Sequence, residues 1–201
     1  MMRSVLEIMM KQTCSLAAIL FLLMGSASAF DHNRRGFVLG AGIGFSPSAS
    51  WKTDPYYLPE NTGHSGFAAH ALIGGGINEH NILVSEWNMV RYSNPTELVP
   101  AKSVSILQWH WAISWYHYYG QTGKSLYSVL GIGPYFLTPA WNELTEFGGA
   151  VMLGAGYEFT RHLQIGVYYS IGRVANVGLN GPGPNVYGCD HLSVLLTVIE
   201  Y

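Results

Sequence analysis

The chain is poor in charged residues, which narrows the range of partners it can bind. Only 11% of its 201 residues are Asp, Glu, Lys or Arg, whereas soluble domains contain about 25%. The formal net charge is −2, and the sequence has no run of basic residues. A protein that binds nucleic acid needs a positively charged surface, so nucleic acid is excluded as a partner.

Cysteine is almost absent, and the histidines show no spacing typical of metal ligands. The two cysteines are Cys14 and Cys189, and Cys14 lies in a segment that is expected to be removed. The mature chain therefore cannot form an intramolecular disulfide bond. The eight histidines are scattered without the spacing of a metal site, and no cofactor motif is present. We expect neither a metal nor a cofactor.

Long hydrophobic runs are also lacking beyond the N-terminus. Arg3 and Lys11 precede the short apolar run Leu16–Met24, and small residues follow it up to Ala29. This order is typical of a secretory signal peptide, and the run is too short for a transmembrane anchor. The sequence predicts a signal peptide over residues 1–29 and a single mature domain over residues 30–201.

The mature domain instead contains segments in which apolar residues alternate with small or polar ones. Alternation with a period of two predicts β-strands that present one apolar face. Eight such strands are predicted: Gly36–Ser46, Gly66–Ile77, Ile82–Tyr92, Val104–Tyr119, Ser125–Leu137, Phe147–Phe159, Leu163–Gly172 and His191–Tyr201. In the fourth strand, Trp109, Trp111 and Trp115 share a face that a core or a membrane must cover.

The connections between the strands alternate in length. Short links are predicted at Asn78–Asn81, Gly120–Lys124 and Thr160–His162, and longer loops at Pro47–His64, Ser93–Lys102, Thr138–Thr145 and Arg173–Asp190. Short periplasmic turns and long outer loops are typical of small transmembrane barrels. A closed barrel also pairs all its backbone N–H and C=O groups in hydrogen bonds between strands, as lipid requires. We predict an all-β, eight-stranded antiparallel up-and-down transmembrane β-barrel in the outer membrane, with both termini in the periplasm.

The faces of the strands predict which residues contact lipid and which fill the lumen. Glycines such as Gly40, Gly42 and Gly44 are predicted to line a narrow interior, because no helix follows them as a nucleotide-binding loop requires. Aromatic residues near strand ends are predicted to form an interfacial girdle. They are Tyr92, Tyr116, Tyr118, Tyr119, Tyr127, Tyr135, Tyr157, Phe159 and Tyr201. The predicted lipid-facing belt comprises Trp87, Trp109, Trp111, Trp115, Tyr157, Phe159 and Tyr201.

Two polar pairs are candidate functional residues. If Trp87 pairs with Trp109, then Glu86 faces His110 across the lumen, either as a proton-linked constriction or, as we favour, as a polar pair without further function. Arg91 and Arg173 end strands on the outer side. There they could contact lipid A phosphates or could simply extend toward water at the rim.

The chain resembles the small eight-stranded outer-membrane β-barrel family, which includes the membrane domain of outer-membrane protein A and the OmpX and OmpW proteins. The resemblance lies in the opening Gly36–Phe45, the hairpin that joins Gly154–Thr160 to Leu163–Gly172, and the final strand ending at Tyr201. It implies contact with outer-membrane lipids and lipopolysaccharide. It also implies that the assembly machinery recognises the C-terminal strand through its terminal aromatic residue.

The resemblance leaves function open, because one fold supports many functions. Lipid A acyltransferases and deacylases share the architecture, and the deacylase pattern His-x-Ser-Asn is partly matched by His191 and Ser193. Position 194 is Val, however, and Glu158 is predicted at the opposite end of the barrel. We therefore expect no enzyme but a non-catalytic envelope role, which could be structural, surface interaction or narrow solute passage. The alternatives are a lipid A-modifying enzyme and a soluble periplasmic barrel of lipocalin type.

Overall fold

The eight predicted strands are present and close into a barrel. A computed structural model describes residues 34–53, 61–95, 103–139, 145–176 and 185–201. The strands are β1 (Gly36–Thr53), β2 (Asn61–Asn78), β3 (Asn81–Pro95), β4 (Ser103–Tyr118), β5 (Ser125–Pro139), β6 (Glu146–Thr160), β7 (Leu163–Asn176) and β8 (Asn185–Glu200). Each pairs antiparallel with its neighbour in the chain, and β1 pairs with β8. The predicted eight-stranded antiparallel barrel is confirmed.

The predicted signal peptide lies outside the described residues. Within the described ranges, no helix is long and apolar enough to cross a bilayer.

The three tight links are confirmed, but the predicted loops at the other end are too long. β1 continues to Thr53 and β2 begins at Asn61, so much of the predicted loop Pro47–His64 is strand. The other three predicted loops likewise lose residues to the strands that flank them. The apolar alternation ends before the strands do. Beyond that point the backbone groups still form hydrogen bonds between neighbouring strands, although the outward side chains no longer need to be apolar. A register shift between Phe45 and Ser48 interrupts the alternation further.

The outer surface of the barrel is apolar between two charged rows. Outward positions at the end with the tight links, called the turn end, include Arg35 and Glu200. Those at the opposite end, the loop end, include Arg91, Arg173 and Asp190. Between the rows, the described outward positions carry no Asp, Glu, Lys or Arg. About ten residues of tilted strand separate the rows, which corresponds to about 25 Å.

The interior is filled by polar, aromatic and aliphatic side chains. Several large aromatic residues that were predicted to form a girdle are instead buried inside the barrel: Tyr92, Tyr116, Tyr118, Tyr127 and Tyr135. The prediction was wrong because it relied on nearness to strand ends and ignored the alternation of faces. Tyr116 and Tyr118, for example, share the inward face of β4 with Ser114.

The glycines in the lumen leave space for these large aromatic rings. A Cβ atom added at Gly156 or Gly166 would collide with the hydroxyl group of Tyr127. A Cβ atom at Gly42 would lie 2.7 Å from the ring of His70. Because a large side chain on one wall faces a glycine on another, eight strands close around a densely packed interior.

Candidate functional site

The polar side chains of the interior form three clusters, and the first closes the turn end. Arg34 lies two residues before β1 and is fully buried. Its guanidinium donates hydrogen bonds to the carbonyl oxygens of Glu79 (2.9 Å), Gly120 (3.0 Å) and Gln121 (3.2 Å). It also forms an ion pair with Glu158. One side chain therefore contacts two turns and strand β6.

The central cluster is built around Glu86. One carboxylate oxygen of Glu86 accepts a hydrogen bond from His70 Nδ1 (2.9 Å), and the other accepts one from the Tyr116 hydroxyl (2.9 Å). The second ring nitrogen of His70 lies 2.7 Å from Thr197 Oγ1. These residues come from β2, β3, β4 and β8, so the cluster cross-links the barrel through its interior. A buried carboxylate is tolerated only when it is bonded in this way.

The third cluster lies toward the loop end. The hydroxyl of Tyr135 lies 2.7 Å from His191 Nδ1 and donates a hydrogen bond to Gln108 Oε1 (2.8 Å). Gln108 in turn donates to the Tyr92 hydroxyl (2.9 Å) and to the carbonyl of Ser50 (2.9 Å). Strands β1, β3, β4, β5 and β8 are thereby joined at this level.

The predicted pairing of Glu86 with His110 was wrong, although both residues are buried in the interior. Trp87 lies opposite Trp111 rather than Trp109, so Glu86 faces Ala112 and His110 faces Asn88. A register shift of two residues preserves which face each side chain occupies, so alternation could not distinguish the two registers. The partner that sequence analysis missed is His70, which was visible only as a histidine on the inward face of β2.

All the predicted lipid-facing residues except Tyr201 point outward. Five of them are exposed on the outer surface: Trp87, Trp111, Trp115, Tyr157 and Phe159. Trp109 is half-buried and stacks on Phe136, with the two ring centroids 3.9 Å apart. Contact of these residues with lipid stays a prediction.

Tyr201 was predicted wrongly, because its side chain is buried inside the barrel. Its hydroxyl donates to the Tyr118 hydroxyl at 3.1 Å. The alternation of β8 explains this position, since Tyr201 follows the buried residues Thr197 and Ile199 at intervals of two.

Two of the outward tryptophans donate hydrogen bonds from their indole N–H groups. Trp111 Nε1 donates to Ser85 Oγ at 2.8 Å, and Trp115 Nε1 donates to Asn81 Oδ1 at 3.0 Å. Each partner lies on the neighbouring strand β3. A bonded indole N–H removes the cost of placing that group in an apolar environment.

Arg91 and Arg173 are both exposed at the loop end on the outer surface. They belong to β3 and β7, which lie on opposite sides of an eight-stranded barrel. They therefore cannot bind one phosphate group together. Arg91 donates from Nε to Ser105 Oγ at 2.9 Å, which leaves the remaining guanidinium nitrogens available at the surface.

The two residues of the partial deacylase motif have different hydrogen-bond partners in the interior. His191 and Ser193 are fully buried on the inward face of β8. His191 contacts Tyr135, whereas Ser193 Oγ donates to the carbonyl of Tyr168 at 3.5 Å. The nearest carboxylate in sequence, Asp190, accepts a hydrogen bond from Ser50. Among the described residues, no three His, Cys, Asp or Glu side chains are grouped to bind a metal ion.

Comparison with known proteins shows the fold of this chain. No protein-family model matches the sequence, and no curated protein matches it. Similar solved structures include Neisserial surface protein A, with 15% identity, a TM-score of 0.51 and coverage of 81% of this chain and 96% of that chain. Others are Ail of Yersinia pestis (14%, TM-score 0.46, 81% and 99%) and the outer membrane protein OprG of Pseudomonas aeruginosa (13%, TM-score 0.44, 84% and 98%). The resemblance to small eight-stranded outer-membrane barrels is thus confirmed at the level of the fold.

Proposed function

We propose that this protein is an integral outer-membrane barrel with a non-catalytic role, in which a sealed barrel anchors its loop end at the outer surface of the envelope. The observation that carries the proposal is that large apolar side chains are exposed on the outer surface while charged and polar side chains are buried in the interior. The outer surface is apolar between two charged rows, and the interior contains the polar clusters. A belt of about 25 Å matches the apolar band of outer-membrane barrels.

The exposed apolar residues support a membrane environment. Ile132, Ile43 and Val198 are 69%, 65% and 56% exposed and lie on three different strands. Apolar surface on all sides of the barrel is far more than a soluble monomer exposes. The alternative of a soluble lipocalin-type barrel is disfavoured, because such a barrel needs an apolar cavity inside and a polar surface outside.

The packed interior favours a sealed anchor over a passage for solutes. At the turn end Arg34 and Tyr118 lie in the lumen, in the middle Glu86 and Tyr116, and toward the loop end Tyr135, all of them fully buried. A solute would have to displace hydrogen-bonded side chains at each of these levels. Small solutes are therefore not expected to cross the folded barrel.

The positions of His191 and Ser193 support the absence of catalysis. A lipid-modifying enzyme must present its reacting groups where an acyl chain can reach them. Both side chains face the interior, and neither contacts a carboxylate. The alternative of a lipid A acyltransferase or deacylase would need reacting groups other than His191 and Ser193.

Lipopolysaccharide is the partner expected at the loop end. Arg91 and Arg173 present guanidinium groups on opposite sides of the outer surface, where each could bind a phosphate group of a separate molecule. Recognition of the C-terminal strand by the assembly machinery is retained as part of this proposal. Such recognition would precede closure of the barrel, since Tyr201 is buried in the closed barrel.

Three measurements on the protein test this proposal. After refolding in detergent, the folded barrel should migrate differently on a denaturing gel before and after boiling. Reconstituted in a planar bilayer, it should show no steady conductance, and its expression should leave the mass spectrum of lipid A unchanged. Recovery of the protein in the aqueous fraction without detergent would refute the membrane assignment. Stable conductance would refute the sealed barrel, and an altered lipid A mass would refute the non-catalytic role.

A further inference from the structure

The pair β1–β8 is the seam of the barrel, because these two strands are not joined by a turn. Their pairing runs from Leu39 with Glu200 to Thr53 with Tyr187. At the other seven strand pairs a connecting segment of the chain joins the two strands, whereas at this pair only the backbone ladder and the interior side chains hold them together.

The residues that flank β1 and β8 at the turn end both reach across the interior to the same ring. Arg34 lies two residues before β1, and its guanidinium carbon is 3.8 Å from the ring centroid of Tyr118. Tyr201 lies directly after β8, and its hydroxyl donates to the hydroxyl of Tyr118 at 3.1 Å. Tyr118 belongs to β4, on the wall opposite the seam.

Arg34 is further held by charge and by the turns. Its ion-pair partner Glu158 is fully buried and also accepts a hydrogen bond from the backbone N–H of Gly123 at 2.9 Å. The remaining guanidinium hydrogen bonds end on backbone carbonyls of two turns. Withdrawing Arg34 would leave the Glu158 carboxylate buried without its counter-charge, which is strongly unfavourable.

We propose that Arg34 and Tyr201 form a closure latch, a pair of residues that stabilises the β1–β8 seam by fixing the start of β1 and the end of β8 to Tyr118. The closure latch is a property additional to the proposed anchoring function. It makes the pairing of β1 with β8 depend on two side chains, Arg34 and Tyr201, that lie outside both strands. In an open barrel Arg34 and Tyr201 have no shared partner. In the closed barrel both meet the same tyrosine, and Tyr201 is withdrawn from the surface.

The neighbouring residue Arg35 provides a matched control. It has the same charge and lies one position further along the chain, but its side chain is 63% exposed and pairs with the exposed Glu79 at 3.3 Å. An exposed pair of this kind contributes little to stability. Removing either arginine changes the net charge equally, so only the interior contacts differ.

Amide hydrogen exchange of the barrel refolded in detergent tests the latch. We expect Arg34→Ala and Tyr201→Ala each to accelerate exchange of the β1 and β8 seam amides by about tenfold or more. Amides of β5 and β6 near the loop end, from the pair Ile132–Val151 to the pair Phe136–Phe147, are remote from the partners of Arg34 and should keep their rates. Arg35→Ala should match the unchanged protein. Equal acceleration in all strands, or unchanged seam rates in both latch variants, would overturn the proposal.

More conservative variants decide the question if an alanine variant does not fold. Tyr201→Phe keeps the ring and removes only the hydrogen bond to Tyr118, so we expect seam exchange to rise by about threefold. Arg34→Lys keeps the charge beside Glu158 but cannot reach all the carbonyl oxygens, and it should also accelerate seam exchange selectively. Seam rates that are unchanged in both variants would refute the latch.

Discussion

The central cluster makes a quantitative prediction about Glu86. In the variant Glu86→Ala, the Tyr116 hydroxyl loses its acceptor and His70 Nδ1 loses its partner, while all three positions remain fully buried. Leaving a buried hydrogen-bonding group unsatisfied costs about 1–3 kcal/mol, and two groups are affected here. We therefore expect the free energy of unfolding to fall by about 3–5 kcal/mol, the range typical of a broken buried pair.

Urea unfolding in phospholipid vesicles, followed by tryptophan fluorescence, measures this loss. Tyr116→Phe removes only one of the two hydrogen bonds and should cost about 1.5–3 kcal/mol, the range for a hydrogen bond to a charged group. The control is Glu79→Ala, which removes an exposed carboxylate and should change stability by about 0.5 kcal/mol or less. A loss below about 1 kcal/mol for Glu86→Ala would refute the argument that the interior network stabilises the barrel.

Three further predictions follow from the outer surface and the packed lumen. Leu153→Arg places a charge in the middle of the apolar belt and should cost about 2–4 kcal/mol in the same vesicle assay, whereas Ser93→Arg at the loop end should be nearly neutral. An equal cost at both positions would contradict the belt. Gly42→Ala brings a methyl group within 2.7 Å of the His70 ring and should cost about 1–3 kcal/mol. The cost should shrink in a His70→Ala background, and an unchanged cost would show that the ring is not the obstacle. Arg91→Ala and Arg173→Ala should each weaken binding to lipopolysaccharide by about 1 kcal/mol, measured by calorimetry. Their effects should add because the residues lie on opposite sides, and strong coupling would contradict separate sites.

Strand identity and the direction of most side chains could be predicted because they depend on local alternation. Trp111 and Trp115 point outward and Gln108 and Ser114 inward, as the period of two requires. The prediction of side-chain direction failed where nearness to a strand end was given more weight than the alternation of faces. Tyr118 and Tyr201 were assigned to a girdle because they lie near strand ends, although their place in the alternation puts them inside.

Strand ends and polar partners depend on contacts that a local pattern does not contain. The extension of β1 to Thr53 is stabilised by the ladders to β2 and β8, which continue after the apolar pattern has stopped. The pairing of Glu86 with His70 depends on the registers of β2, β3 and β4, and a shift of two residues leaves every face unchanged.

The amino-acid sequence by itself determined the number of strands, their antiparallel order and which face of each strand is apolar, because these follow from the period of two and from short turns. Only the tertiary structure decided which inward side chains meet. Arg34 illustrates the reason, since its partners Gly120 and Glu158 lie 86 and 124 positions away in the chain. Closure of the barrel brings these groups together, and burial then makes their hydrogen bonds obligatory.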